Sequence, residues 1–269
     1  MRLRPATYAV LGDPVAHSLS PAIHNAAFRA AGRTAVYAAR RVTADECGPA
    51  LRELALGGGG GNVTVPHKER VLPFLDRRTG AVAATGACNT FWAEDGEVWG
   101  DNTDVEGFLG TWRETVAGLP GALEVLVLGA GGAAKAVVRG LLQASRASGV
   151  LVWNRTGGRA EELVRRFGDR RVSRVRGWRG TAPAVLVNAT PVGLDGRSVP
   201  LDLNALERPP RRVIDLVYGG EPTPLCRQAA AMGVAAVDGR DMLVLQAEAS
   251  YLRWFGEPPP PGVMTRALG

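Results

Sequence analysis

Apolar positions in this chain come in short blocks, and the stretches between them carry apolar residues at helical spacing. The first blocks are residues 8–11, 36–42 and 62–65; stretches 22–31 and 47–56 between them have the periodicity of amphipathic helices. Strand and helix in repetition predict an α/β fold with mainly parallel strands. Across 88–101 the rhythm changes to two extended runs joined at Glu94-Asp95-Gly96, and Asp-Gly between such runs predicts a hairpin. Residues 57–61 are five consecutive glycines directly before a strand. With no helix start after them, they are expected to form a flexible loop without a cofactor role.

From residue 124 the alternation restarts: strand 124–128, helix 133–144, strand 150–153, helix 159–167, then strands at 184–187 and 213–217. This predicts a second, doubly wound unit. The last long amphipathic stretch, 241–255, carries Met242, Leu245, Ala249 and Leu252 at helical spacing and ends before Gly256 and four prolines. No internal repeat is visible.

Composition narrows the class. A chain of 269 residues, 46% of them hydrophobic, can bury one large or two modest cores unaided. Cys47, Cys88 and Cys226 are dispersed and odd in number, which fits neither a disulfide framework nor a zinc site and points to a reducing cytoplasm. His17 and His67 stand without a carboxylate cluster, so no metal is expected. No apolar run is long enough to cross a bilayer, and residues 1–5 lack the apolar stretch of a signal peptide. The formal charge of +6 comes from scattered arginines with few aromatics among them; this reads as a solvated surface and argues against a nucleic-acid partner.

The strand 124–128 runs into Gly129-Ala130-Gly131-Gly132-Ala133-Ala134, a tight turn followed by a helix. This is the dinucleotide fingerprint. Gly129 permits the turn, Gly131 lets the backbone approach a pyrophosphate, and Ala134 keeps the helix close to the sheet, leaving helix-start amides to face the anion. The next strand ends in Asn154-Arg155-Thr156 where an NAD site would place an acid for the ribose. With no carboxylate there, and with Arg155 and Arg159 one helical turn apart, the pocket favours a 2′-phosphate, hence NADP.

A reductase also needs a proton donor beside the carbonyl that receives hydride, and a group to orient that donor. Lys68, in a helix expected to begin near Pro66, and Asp104, at or next to the start of the helix after the hairpin, are the candidates. Alone, each would read as a solvated lysine and a helix cap. Together with Ser18-Leu19-Ser20-Pro21, NVTVPHK, Gly86-Ala87-Cys88-Asn89-Thr90, DNTD, GAGGAA, NRT and Gln246-Ala247, in that order over essentially the whole chain, they resemble the shikimate dehydrogenase family.

The resemblance implies a two-domain α/β fold. A substrate-binding and catalytic domain with a mainly parallel sheet would comprise 1–103 plus 240–269, and a Rossmann-type NADP domain 104–239. It also implies reversible NADPH-dependent reduction of 3-dehydroshikimate to shikimate, a step toward aromatic amino acids. Lys68 and Asp104 would be the catalytic pair, Lys68 giving a proton to the developing alkoxide while Asp104 shares that proton and orients the amine. Ser18 and Ser20 would hold the substrate carboxylate; Thr64, Asn89, Tyr218 and Gln246, with the catalytic pair, would hold carboxylate or ring hydroxyls. By residue type alone Ser18 and Ser20 would be a helix cap and its neighbour, and Tyr218, Gln246 and Met242 would be boundary or core residues. Thr190, Leu216, Gly239 and Met242 complete the expected cofactor set.

Two departures from the family pattern stand out. Cys88 replaces a common valine, reads as a small buried apolar residue, and beside Asn89 is a candidate for thiol-reagent inactivation. Gly219-Gly220-Glu221 replaces a more usual asparagine-proline after Tyr218 and is expected to loosen that loop. Competing readings are a quinate dehydrogenase, which Arg155 and Arg159 oppose, a catalytically silent NADP-binding protein, which Lys68 and Asp104 oppose, and a nucleic-acid binder. A homodimer is compatible with the sequence, which does not set oligomeric state.

Overall fold

The backbone of the computed structural model, described for residues 6–268, runs through twelve strands and nine α-helices in those residues. The leading residues 1–5, read above as lacking an export signal, lie outside the described residues. In chain order the elements are β1 (Ala6–Gly12), α1 (Ser20–Ala30), β2 (Ala35–Arg41), α2 (Cys47–Leu56), β3 (Gly60–Val63), β4 (Arg77–Arg78), α3 (Gly80–Thr85), β5 (Thr90–Glu94), β6 (Glu97–Asp101) and α4 (Asp104–Thr115). There follow β7 (Leu123–Leu128), α5 (Gly132–Gln143), β8 (Ala147–Trp153), α6 (Gly157–Phe167), β9 (Val172–Arg174), β10 (Val185–Asn188), β11 (Arg212–Asp215), α7 (Pro224–Ala231), β12 (Ala235–Val237), α8 (Arg240–Phe255) and α9 (Val263–Arg266). The chain divides into two compact units, Met1–Gly107 with Leu243–Gly269, and Phe108–Met242, the division falling inside α4 and inside α8.

The first unit holds a six-stranded sheet in the order β2-β1-β3-β5-β6-β4. β1 pairs in parallel with β2 and β3, β5 is antiparallel to β3 and β6, and β4 is parallel to β6. The β5–β6 hairpin turns through Asp95 and Gly96, both at positive φ (52° and 78°), the backbone that a two-residue hairpin loop demands and that Asp-Gly supplies. One face of this sheet packs Leu11, Val63, Phe91 and Val98 with Leu51, Leu54 and Ala55 of α2.

Two expectations fail here. The glycine run is not a loose loop: Gly60 and Gly61 are buried in β3, a central strand paired on both sides. A Cβ on Gly59 would overlap the Thr7 carbonyl and one on Gly61 the Ala9 carbonyl, while a Cβ on Gly60 would lie 2.6 Å from the Phe91 carbonyl oxygen. Close strand approach, and not flexibility, is what these glycines provide. Nor does an α-helix start near Pro66. Residues 64–71 make successive turns (His67 N to Thr64 O, 2.9 Å; Arg70 N to His67 O, 2.9 Å) before one 3-10 turn at Leu72–Phe74. Pro73 has no amide to bond back to the Glu69 carbonyl, so an α-helix begun near Pro66 could not run through it.

The second unit is a parallel sheet in the order β9-β8-β7-β10-β11-β12. Numbered from β7, this is strand order 3-2-1-4-5-6, the doubly wound dinucleotide fold, with the reversal between β7 and β10. Its strands are apolar almost throughout because both faces are covered. Val125, Val127, Val150, Val152, Val185 and Val187 meet α5 and α6 through Val137, Val138, Leu141, Ala160 and Leu163. Leu126, Leu128, Leu186 and Val213 meet Leu225 and Ala229 of α7 on the other face. Among the described residues no helix is long and apolar enough to cross a membrane.

Candidate active site

Sheet topology brings most of the expected substrate residues to one edge of the first unit. β1 and β3 are parallel, so their carboxyl ends share that edge, and the segments leaving them carry Ser18, Ser20, Thr64 and Lys68. β5 runs the other way, so Asn89 precedes its start at the same edge, and β6 returns there to deliver Asp104 as the first residue of α4. Backbone bonds tie these segments together: Thr64 N to Leu11 O and Cys88 N to Lys68 O, both 2.8 Å, and Asn89 N to Asp101 O at 3.0 Å.

Four side chains at that edge form a continuous chain. Lys68 Nζ donates to Asp104 Oδ2; Asn89 Nδ2 donates to Asp104 Oδ1 at 2.8 Å and to Gln246 Oε1 at 3.3 Å. Asn89 Oδ1 in turn accepts from the Thr103 amide at 2.7 Å, so its amide orientation is set by a backbone donor. Gln246, on α8, is held by Nε2 donating to Leu243 O at 2.8 Å. Ser18 Oγ accepts from the Ser20 amide at 3.3 Å, but Leu19 stands at the α1 cap position, so neither serine caps the helix. Thr64 is half-buried.

Beneath this chain lies a buried polar layer that the sequence reading missed. Asn62 Nδ2 bonds Asn89 O (3.1 Å), Thr90 Oγ1 (3.0 Å) and Ser250 Oγ (3.0 Å), and Tyr37 Oη donates to Asn62 Oδ1 at 2.7 Å. The signal was present, since Asn62 opens NVTVPHK and Thr90 follows Asn89. Beside it Arg253 donates from Nε to the buried Asp101 carboxylate (2.7 Å), which also accepts from Thr79 Oγ1 (2.5 Å) and the Asn102 amide (2.7 Å). Arg253 thereby ties α8 to the strand end that delivers Asp104.

The expected cofactor residues and Tyr218 lie in the second unit. Gly129 adopts φ +113° with a Cβ position 2.9 Å from the Ala189 carbonyl oxygen, so only glycine suits it. Gly131 is the α5 cap residue, offers no side chain to the first-turn amides, and has open space where its Cβ would be. Ala134 is fully buried against the sheet, while Gly132 and Ala133 begin the helix. An open cradle under uncapped amides fits a pyrophosphate. Asn154 Nδ2 closes the turn after β8 onto Thr156 O at 2.9 Å, and Arg155 and Arg159 are exposed beside the start of α6. Arg174, unforeseen from the sequence, ion-pairs with Glu161 and places its guanidinium where a Cβ on Gly157 would fall.

Thr190 sits in the loop after β10, its amide and hydroxyl both donating to Asn188 Oδ1 at 3.0 and 2.6 Å. Gly239 approaches the chain so closely that a Cβ would overlap the Leu216 carbonyl and lie 3.0 Å from Tyr218 Cδ1. Met242 is buried in the apolar core with Val187 and Ile214, the packing role weighed for it above. Tyr218 is half-buried, and the glycines after it are exposed.

Cys88 does not fit a reagent-sensitive thiol. It is fully buried, donates to Thr90 O at 3.2 Å, and burial pushes its pKa up to about 12, so the reactive thiolate is strongly disfavoured. His17 is exposed, while His67 is buried with Nε2 2.8 Å from Val42 O. Among the described residues no cluster of three His, Cys, Asp or Glu side chains is placed to hold a metal.

Three family models match the chain: a shikimate dehydrogenase substrate binding domain over residues 10–91, shikimate / quinate 5-dehydrogenase over 117–176, and a shikimate 5′-dehydrogenase C-terminal domain over 239–268. A shikimate dehydrogenase (NADP(+)) of Alkalilimnicola ehrlichii is 42% identical over 97% of each chain. The crystal structure of shikimate 5-dehydrogenase from Thermus thermophilus, in complex with NADP(H) and shikimate, superposes with a TM-score of 0.86 at 37% identity over 97% of each chain. Shikimate dehydrogenase from Aquifex aeolicus gives 0.87 at 32% identity, over 100% of this chain and 99% of that one.

Proposed function

The chain belongs to the shikimate dehydrogenase family, and from that membership we propose that Lys68 and Asp104 carry the proton chemistry of its reaction. It is an NADP-dependent oxidoreductase that interconverts 3-dehydroshikimate and shikimate. The observation that carries the residue roles is the chain Lys68–Asp104–Asn89–Gln246 at the edge of the first unit.

Bound NADPH supplies the hydride, and the second unit's residues would hold it. Gly129 to Ala134 would take the pyrophosphate, Asn154, Arg155, Thr156 and Arg159 the 2′-phosphate end, and Thr190, Leu216, Gly239 and Met242 the remainder. Lys68 Nζ delivers a proton to the substrate oxygen and takes it back in the oxidative direction. Asp104 anchors the lysine, and Asn89 fixes the carboxylate from its other oxygen, so the donor is aimed before substrate arrives. Ser18 and Ser20 receive the substrate carboxylate. Thr64, Asn89 and Gln246 match ring hydroxyls and carboxylate with neutral partners, an arrangement that rejects an analogue lacking one hydroxyl, and Tyr218 takes its substrate role from the family resemblance. The three free thiols suit a reducing cytoplasm.

Initial-rate oxidation of shikimate and of quinate, each with NADP and with NAD, tests the reading. Shikimate with NADP should dominate; comparable turnover of quinate with NAD would overturn both substrate and cofactor assignments.

A further inference from the structure

The carboxyl ends of β10 and β11 are joined by a buried side-chain pair that the reaction chemistry does not use. Asp215 is fully buried. Its Oδ1 accepts from Asn188 Nδ2 at 2.8 Å and from the Val217 amide at 3.1 Å; its Oδ2 accepts from Thr223 Oγ1 at 2.6 Å. Asn188, equally buried, uses Oδ1 to hold the amide and hydroxyl of Thr190 and Nδ2 to reach Val192 O at 3.1 Å. None of these partners is a cation. Burial accordingly pushes the Asp215 carboxyl upward, against the three donors that favour its charged form.

Each bond of the pair ends on a segment that leaves the sheet edge. The Asp215 bond to the amide two residues on makes a side-chain turn that directs Leu216, Val217 and Tyr218 off the strand. Gly239 N then donates to Val217 O at 3.0 Å, which brings the start of α8 against the same turn. From the other side, Asn188 sets the height of the Thr190 loop. These loops lie just past the reversal in strand order, where a dinucleotide fold receives its ligand. Donors from three segments converge on this one side chain through its two oxygens, which suits a clamp that sets the spacing of two loops.

We propose that Asn188 and Asp215 are positioning residues that preform the cofactor surface of the loops after β10 and β11, with Tyr218 carried on the same clamp. The inference rests on the NADP reading above. The experiment is calorimetric titration of NADP, and of NAD by competition, into the wild type and Asp215→Asn in the absence of shikimate, with Tm recorded for each. Asp215→Asn should raise the Kd of both dinucleotides at least threefold and by similar factors, because the 2′-phosphate is read elsewhere. Thr223→Val deletes one of the three donors and carries the same expectation should Asp215→Asn not fold; Thr223→Ser keeps the hydroxyl and should restore wild-type affinity. A Kd less than threefold above wild type in the folded variants would overturn the proposal, whatever happens to Tm. A wild type that binds no NADP would instead refute the cofactor reading, before any variant is compared.

Discussion

Lys68 and Asp104 meet through Nζ and Oδ2, and the other carboxylate oxygen is held by Asn89, so one carboxylate is gripped from two directions while the lysine and aspartate side chains keep 15% and 8% of their surface accessible. That geometry supports the proton-transfer role proposed for Lys68. Lys68→Ala should lower kcat about 10²- to 10⁴-fold, the range for loss of a positioned proton donor, and leave the shikimate Kd within a few-fold. Steady-state rates together with equilibrium shikimate titration separate the two effects. A near-normal kcat would remove Lys68 from the proton step.

Arg155 follows the end of β8 with no acidic side chain at that strand end, and its guanidinium is exposed. A charge-assisted pair with a phosphate contributes about 1.5–3 kcal/mol, roughly 10- to 100-fold in affinity. Arg155→Ala should therefore weaken NADP by about that factor and NAD hardly at all, read as two dissociation constants. Equal weakening of both would assign the 2′-phosphate to another cation, with Arg174 the next to substitute.

How far the sequence reveals this molecule depends on the range of the interaction concerned. The Asp-Gly hairpin and the Gly129 turn are set by backbone conformations that particular residues supply locally, and both are legible. β9 and β12 are three residues each at sheet edges, too short to show a period, and are not. Gly59 and the glycines of β3 mislead because their reason lies in Thr7, Ala9 and Phe91, residues distant in sequence whose carbonyls crowd them. The catalytic candidates were visible through motif order, whereas Asn62, Arg253 and Asp215 act through partners that only the fold brings near.

Gly61→Ala tests the close-approach account of the glycine run directly. An added methyl would overlap the Ala9 carbonyl and lie 2.8 Å from Phe91 Cζ, and backbone cannot yield cheaply inside a sheet paired on both sides. The substitution should cost about 1–3 kcal/mol of unfolding free energy, the range for overpacking. Gly80→Ala is the control: nothing stands within 4 Å of its Cβ position, and alanine at the start of α3 should be neutral or stabilise by up to about 1 kcal/mol. Urea unfolding of both variants gives the comparison. Equal effects would restore the flexible-loop account.

Cys88 and Cys226 should separate under a thiol reagent. Both thiols are pushed upward by burial, but Cys88 is wholly enclosed whereas Cys226 is only half-buried. In the native protein, labelling followed by peptide mass mapping should modify Cys226 first and leave Cys88 intact until the chain is unfolded. Native labelling of Cys88 on the timescale of Cys226 would contradict its burial and reopen it as a site of inactivation.

His24 supplies a test of stability against pH. It is fully buried on α1, stacked on Tyr37 at 4.4 Å between ring centroids, and neither ring nitrogen has a hydrogen-bond partner among the described residues. Burial disfavours the imidazolium and lowers the pKa from 6.5 to about 3. Below pH 6.5 the unfolded chain gains a proton at this position that the folded chain does not. The stability attributable to His24 is therefore complete above pH 6.5 and declines as pH falls toward 3, by roughly 1 kcal/mol per unit. His24→Leu removes that proton uptake while keeping a similar volume. Urea unfolding at pH 7, 6, 5 and 4.5 should show the wild type losing stability more steeply than the variant below pH 6, with carboxylate contributions common to both. Parallel slopes would mean that His24 takes up its proton in the folded state, and with it a partner or an opening of α1 that this packing excludes.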